Sequence, residues 1–133
     1  MATRILRKRN NFVILNEDLP DIGETIFTYI EDNQALESGR KVAGRGTVTF
    51  FRGFGLDLVH KTYKRGGLIR KLVSSVYIWT GLKKTRAHIE FYGLKKMFDL
   101  GLPVPRPVAA RIIRKGIFYR AELITQEVEN ATT

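Results

Sequence analysis

The sequence predicts an α+β fold whose elements, from residue 40 onward, run β-β-β-α-α-β-β, giving a five-stranded antiparallel sheet with two helices inserted between strands three and four. Three observations lead there. Residues 39–67, GRKVAGRGTVTFFRGFGLDLVHKTYKRGG, hold three β-rich segments broken by glycines. Residues 68–98 place apolar side chains at helical spacing, twice, with Gly81 between. Residues 108–124 form two apolar runs around Lys115-Gly116, the pattern of a tight hairpin.

Each element has its own warrant. The cluster of Arg4, Arg7, Lys8 and Arg9 is expected to be frayed or membrane-facing, residues 11–15 read as a short strand, and residues 22–30 as a helix within an acidic stretch. Residues 40–43, 47–52 and 56–63 form the meander, with turns at 44–46 and 52–55. Leu68, Leu72, Val76 and Trp79 share one face of the first inserted helix, whose lone tryptophan suits a core, an interface or a membrane surface. The second inserted helix opens near Thr85 and is stopped by Gly101 and the Pro103-Val104-Pro105 turn. Strands at 108–114 and 117–124 follow, then a segment through Val128 and a polar tail. The domain organisation read from this is an N-terminal extension over 1–39, a principal domain over 40–128, and a tail over 129–133.

Composition narrows the chemistry. With 133 residues, 44% of them apolar, the chain supports one core. The absence of cysteine excludes disulfides, thiolate metal sites and a cysteine nucleophile, and two histidines make a poor metal site. No apolar run reaches membrane-spanning length and no secretory leader opens the sequence, so the default expectation is cytoplasmic. The net charge of +10 is concentrated in residues 40–120, with 19 basic and 3 acidic side chains. Such a surface suits nucleic acid, anionic lipid headgroups or nucleotide phosphates, and charge alone does not choose.

One carboxylate stands out. At 100° per residue, Ala87, Phe91, Leu94, Met97 and Phe98 fall in one apolar arc of the second helix, and Glu90 falls inside it, while His88, Lys95, Lys96 and Asp99 point away. A glutamate on a buried face needs a cation. Lys61 is the candidate: it shares a strand face with Val59, whereas Leu58 and His60 share the other, which makes His60 a packed histidine rather than a catalyst. Leu58-Val59-His60-Lys61 has the form of a kinase third strand, with a small apolar residue for a base and a lysine for phosphates. Gly44-Arg45-Gly46 fits either a plain hairpin turn or a flap covering phosphates, although Thr49 stands where a third glycine would complete the motif.

This order of elements resembles the N-terminal lobe of the protein-kinase-like fold. More specifically, RGG at 65–67, YIWTGL at 77–82, KTRAHIEF at 84–91, GLPVPRPVAAR at 101–111 and FYRAELIT at 118–125 resemble the signature blocks of the 3-deoxy-D-manno-octulosonic acid (Kdo) kinases, the lipopolysaccharide kinase family of Gram-negative bacteria. The resemblance implies transfer of the γ-phosphoryl group of ATP, with Mg²⁺, to a hydroxyl of the Kdo sugar on lipid A. It implies that Lys61 holds the α- and β-phosphates, Glu90 positions Lys61, and Gly44 and Gly46 cover the phosphates. Val59 would pack on the adenine, Thr125 would stand as gatekeeper, and the backbone of Gln126 and Val128 would meet the adenine edge. The implied setting is the cytoplasmic face of the inner membrane, against Kdo-lipid A and anionic lipid, with no nucleic acid as partner.

Such enzymes take their general base and Mg²⁺ ligands from a C-terminal lobe. No His-x-Asp followed by Asn, and no Asp-Phe-Gly, occurs in these 133 residues, so that lobe is expected to be missing and catalysis by this stretch alone negligible. Two other classes compete. A nucleic-acid-binding module would explain the charge, although Phe50, Phe51 and Phe54 form no recognisable RNP or zinc-finger pattern. A non-catalytic lobe that binds a partner is the other.

Overall fold

A computed structural model of the chain describes residues 1–19, 22–33, 41–42, 48–63 and 77–127. Its elements are β1 (Thr3–Lys8), β2 (Asn11–Asn16), α1 (Thr25–Asn33), β3 (Lys41–Val42), β4 (Val48–Gly53), β5 (Leu56–Thr62), β6 (Tyr77–Ile78), a 3₁₀ turn (Leu82–Lys84), α2 (Arg86–Asp99), β7 (Arg106–Lys115) and β8 (Phe118–Gln126). The strands form one antiparallel sheet in the order β1-β2-β7-β8-β5-β4-β3, with β6 also paired to β8. The α+β class stands. The strand count does not: among the described residues six strands rather than five lie beyond residue 40, and the N-terminal hairpin adds two more.

The added strands come from two places. The basic cluster is not frayed: Arg4, Arg7 and Lys8 lie in β1, the outer strand of a hairpin whose inner strand β2, expected at 11–15, pairs with β7 from Asn11 opposite Ile113 to Leu15 opposite Ala109. The N-terminal extension is therefore built into the sheet. Tyr77 and Ile78, assigned by spacing to the end of the first inserted helix, instead pair with Tyr119 and Phe118 of β8. Residues 68–76 of that predicted helix lie outside the described residues, as do the predicted turn at 44–46 and Val128.

Period-two alternation makes both faces of the sheet apolar, and a helix covers each. On one face Phe12, Ile14, Ala110, Ile112, Ala121 and Leu123 meet Ala87 and Phe91 of α2. On the other, Val13, Leu15, Leu58, Ala109 and Ile124 meet Ile26 and Phe27 of α1. A register shift between Pro107 and Ala109 lets β7 keep pairing with β8 on both sides of an extra residue, Val108. Position in the sheet thus decides which face a side chain serves: Lys61 opposite Leu123 belongs to the α2 face, and His60 opposite Ile124 to the α1 face.

A candidate nucleotide-phosphate site

The site begins with how α2 is held. Thr85, fully buried, caps it: its Oγ1 accepts from the His88 N–H at 3.4 Å and donates to the Leu82 carbonyl at 2.7 Å. The Tyr119 hydroxyl accepts from the Arg86 N–H at 3.0 Å, tying the first turn to β8. At the other end Gly101, with φ +83°, closes a Schellman arrangement in which its N–H bonds the Phe98 carbonyl at 2.9 Å and the Leu102 N–H bonds the Met97 carbonyl at 3.1 Å. The buried stripe is shorter than the wheel predicts. Ala87 and Phe91 are sealed, but Met97 and Phe98 are each 37% exposed, because the last turn of α2 carries them clear of the core.

Glu90 lies at the margin of that stripe. Lys61 Nζ donates to Glu90 Oε1 at 2.9 Å and to Oε2 at 3.2 Å. Both side chains are 35% exposed, so the pair is half-buried and not the sealed ion pair inferred from the wheel. Tyr63, two residues beyond Lys61 and therefore on the same face, completes the cluster: its hydroxyl donates to Glu90 Oε1 at 2.7 Å and its ring lies 4.9 Å from Lys61 Nζ. Sequence reasoning passed over Tyr63, although the period of two that placed Lys61 placed it as well. An ammonium has three N–H groups, and Glu90 takes the two contacts described, which leaves donor capacity on a half-exposed cation for an anion.

The neighbours of Lys61 are as apolar as a base would require. Val59 stands opposite Thr125 of β8 and Phe50 of β4, so these three share the face that carries Lys61. Gln126 ends β8 with Leu58 on one side and Arg106 on the other, and the next N–H, that of Glu127, donates to Asp57 O at 2.8 Å. Gly44, Gly46 and Val128 lie outside the described residues, so the structure brings together Lys61, Glu90, Val59 and Thr125, with Gln126 adjacent.

The opposite face holds a second charged cluster, which the sequence reading missed. His60, 5% exposed, shares a 2.7 Å hydrogen bond through Nε2 with Glu122 Oε1. Arg111 Nε donates to Glu122 Oε2 at 2.6 Å, and its Nη2 to Glu31 Oε1 at 2.7 Å, while its guanidinium sits 4.9 Å over the Phe27 ring. Burial on its own would raise the Glu122 pKa; the His60 hydrogen bond and the Arg111 charge outweigh it and hold the carboxyl below its ordinary range. A lone acid in the apolar run of β8, with arginine opposite in β7, was the available signal. His60 is packed as expected, and it is bound into a structural network.

The sequence model of the Lipopolysaccharide kinase (Kdo/WaaP) family matches residues 33–133. The chain belongs to that family. Among curated lipopolysaccharide-kinase relatives, all named 3-deoxy-D-manno-octulosonic acid kinase, the protein of Photobacterium profundum is 43% identical over 88 residues, covering 66% of this chain and 37% of its own length. That of Vibrio parahaemolyticus is 35% identical over 130 residues, covering 94% and 53%. That of Photobacterium damsela subsp. piscicida is 32% identical over 133 residues, covering 96% and 54%. The chain thus spans between about a third and about a half of the relatives it matches. No solved structure matches it.

Mg²⁺ finds no ligand set here: among the described residues no three His, Asp or Glu side chains converge on a point that could hold a metal ion. The described residues place an ammonium, that of Lys61, and an apolar side chain, Val59, on one face of the sheet.

Proposed function

We propose that this chain is the protein-kinase-like N-terminal lobe of an ATP-dependent kinase that phosphorylates a hydroxyl of the Kdo sugar on lipid A. The Lys61–Glu90 pair carries this reading, because a strand lysine held by a helix glutamate beside an apolar strand face is the arrangement that fixes nucleotide phosphates, and it occurs here in a chain of a lipopolysaccharide kinase family. In this reading Lys61 binds the α- and β-phosphates, Glu90 and Tyr63 hold its ammonium in place, and Val59 and Thr125 bound the adenine. Gln126 and Val128 would supply backbone contacts to its edge, and Gly44 and Gly46 would cover the phosphates. The general base and the Mg²⁺ ligands would belong to the portion of such proteins that this chain does not span. The enzyme would work peripherally on the cytoplasmic face of the inner membrane, where its acceptor is anchored.

Nucleotide-dependent thermal stabilisation tests it. ATP at millimolar concentration should raise the melting temperature of the chain, Lys61→Met should abolish the rise, and Tyr63→Phe should weaken it. A wild-type chain whose melting temperature is indifferent to ATP would sink the proposal.

A further inference from the structure

The end of the sheet farthest from Gln126 carries an apolar tip inside a ring of cations. There β7 turns into β8 through Gly116, φ +63°, and Ile117, and β6 lies alongside: Ile78 pairs with Phe118, and the Trp79 N–H bonds the Ile117 carbonyl at 2.7 Å. Ile117 is 67% exposed and Ile78 56%, with Phe118 also open to solvent. Three large apolar side chains exposed at one end of a sheet are costly unless something covers them.

The charge around them is of one sign. Arg114 and Lys115 precede the turn and Arg120 follows it, all exposed. The Asn10 carbonyl accepts from the Arg114 N–H at 2.8 Å, so the β1–β2 turn lies beside this tip and adds Arg7 and Arg9. Two of these guanidiniums rest on a shelf of rings: Arg114 lies 4.9 Å from the centroid of Trp79 and Arg7 5.2 Å from that of Phe12, and the two rings stack at 5.6 Å. Of the acids on the neighbouring elements, Glu24 is held by Lys8 at 3.0 Å, and Glu122 and Glu31 by Arg111.

We propose that this end of the sheet docks on an anionic bilayer, with Ile78, Ile117 and Phe118 entering the interfacial layer while the surrounding cations lie against the headgroups. Charge complementarity selects the partner, and the isoleucines separate lipid from nucleic acid, since a phosphate backbone gives them nothing to enter. The inference gives a location to the membrane association proposed above and does not depend on Lys61. Thr125 is seven residues along β8 from Phe118, about 23 Å at 3.3 Å per residue, so the tip and the phosphate site can be occupied together.

Vesicle sedimentation with the full chain tests it, using phosphatidylethanolamine–phosphatidylglycerol vesicles against pure phosphatidylcholine. The chain should bind the anionic vesicles and not the neutral ones, and binding should weaken as salt rises. Arg114→Gln with Lys115→Gln should lower the partition coefficient about 25-fold, roughly fivefold per cation. Ile117→Ser and, separately, Ile78→Ser should each lower it severalfold with an unchanged melting temperature. Wild type that ignores anionic vesicles overturns the membrane association as a whole and leaves the ATP-induced stabilisation as an independent result. Wild type that binds them while both serine variants bind equally well overturns this surface. Equal retention by duplex DNA, lost in the double glutamine variant but kept in Ile117→Ser, overturns it in favour of nucleic acid.

Discussion

Glu122→Ala should destabilise the fold far more than Glu90→Ala, although both remove a carboxylate bonded to a cation. The Glu122 side chain is 15% exposed, and its loss strands His60, itself 7% exposed at the side chain, and leaves Arg111 with Glu31 as its remaining acid. Breaking a buried ionic cluster costs about 3–5 kcal/mol, and because Glu31 persists the lower end applies, about 3 kcal/mol. Glu90 and Lys61 are 35% exposed, so water replaces the lost partner and the cost falls to about 1 kcal/mol, in the range of surface pairs. With a urea slope of about 2 kcal/mol/M, the midpoints should drop by about 1.5 M and about 0.5 M respectively. Trp79, the single tryptophan, packs against Phe12 and Tyr119 and reports the transition by fluorescence. If Glu90→Ala proves the more damaging of the two, or Glu122→Ala stays within about 0.3 M of wild type, the assignment of one cluster to folding and the other to ligand binding is wrong.

Three more outcomes follow from the same contacts. The folded-state pKa of Glu122 lies below its unfolded value, so the stability it contributes is full above pH 4.5, the ordinary value for this group, and is lost as pH falls through the depressed one; the gap between wild type and Glu122→Gln should therefore close as acid is added, which denaturant titrations at several pH values will show. Thr85→Ala removes the cap of α2 and the donor to the Leu82 carbonyl in a sealed site, and should cost about 1–2 kcal/mol in a thermal melt followed by circular dichroism. Gly101→Ala meets no atom within 4 Å, so its cost is the backbone's alone at φ +83°, about 1 kcal/mol; a much larger loss would mean that the site is crowded after all.

Much of the candidate site was legible in the sequence because two periodicities were enough to place it. Alternation put Lys61 with Val59 and the 100° wheel put Glu90 toward the sheet; Thr125, expected beside them from the family resemblance alone, stands opposite Val59. What the wheel could not supply was the depth of burial. Met97, Phe98 and Glu90 lie in the same broad arc as Phe91, but exposure depends on where the sheet ends beneath the helix. The N-terminal strands were harder. β1 buries little as the outer strand of the sheet, so its exposed Arg4, Arg7 and Lys8 hid its pairing, whereas β2, with five consecutive buried residues, was readable. β6 is two residues long, too short for any period to register, and it fell under the helical spacing that ends at Trp79.

The pairing of β2 with β7 bears on where this protein can be cut. The family's shared sequence starts at residue 33, which makes that point look like a natural boundary for expression. Trimming there would strip off both outer strands, leaving Asn11–Asn16's partners along a ten-residue, largely apolar strand with open amides and carbonyls. Two such molecules would find each other by their raw borders, and the guard that prevents it in the longer chain is the arginine-lined strand whose charges hide its pairing from sequence inspection.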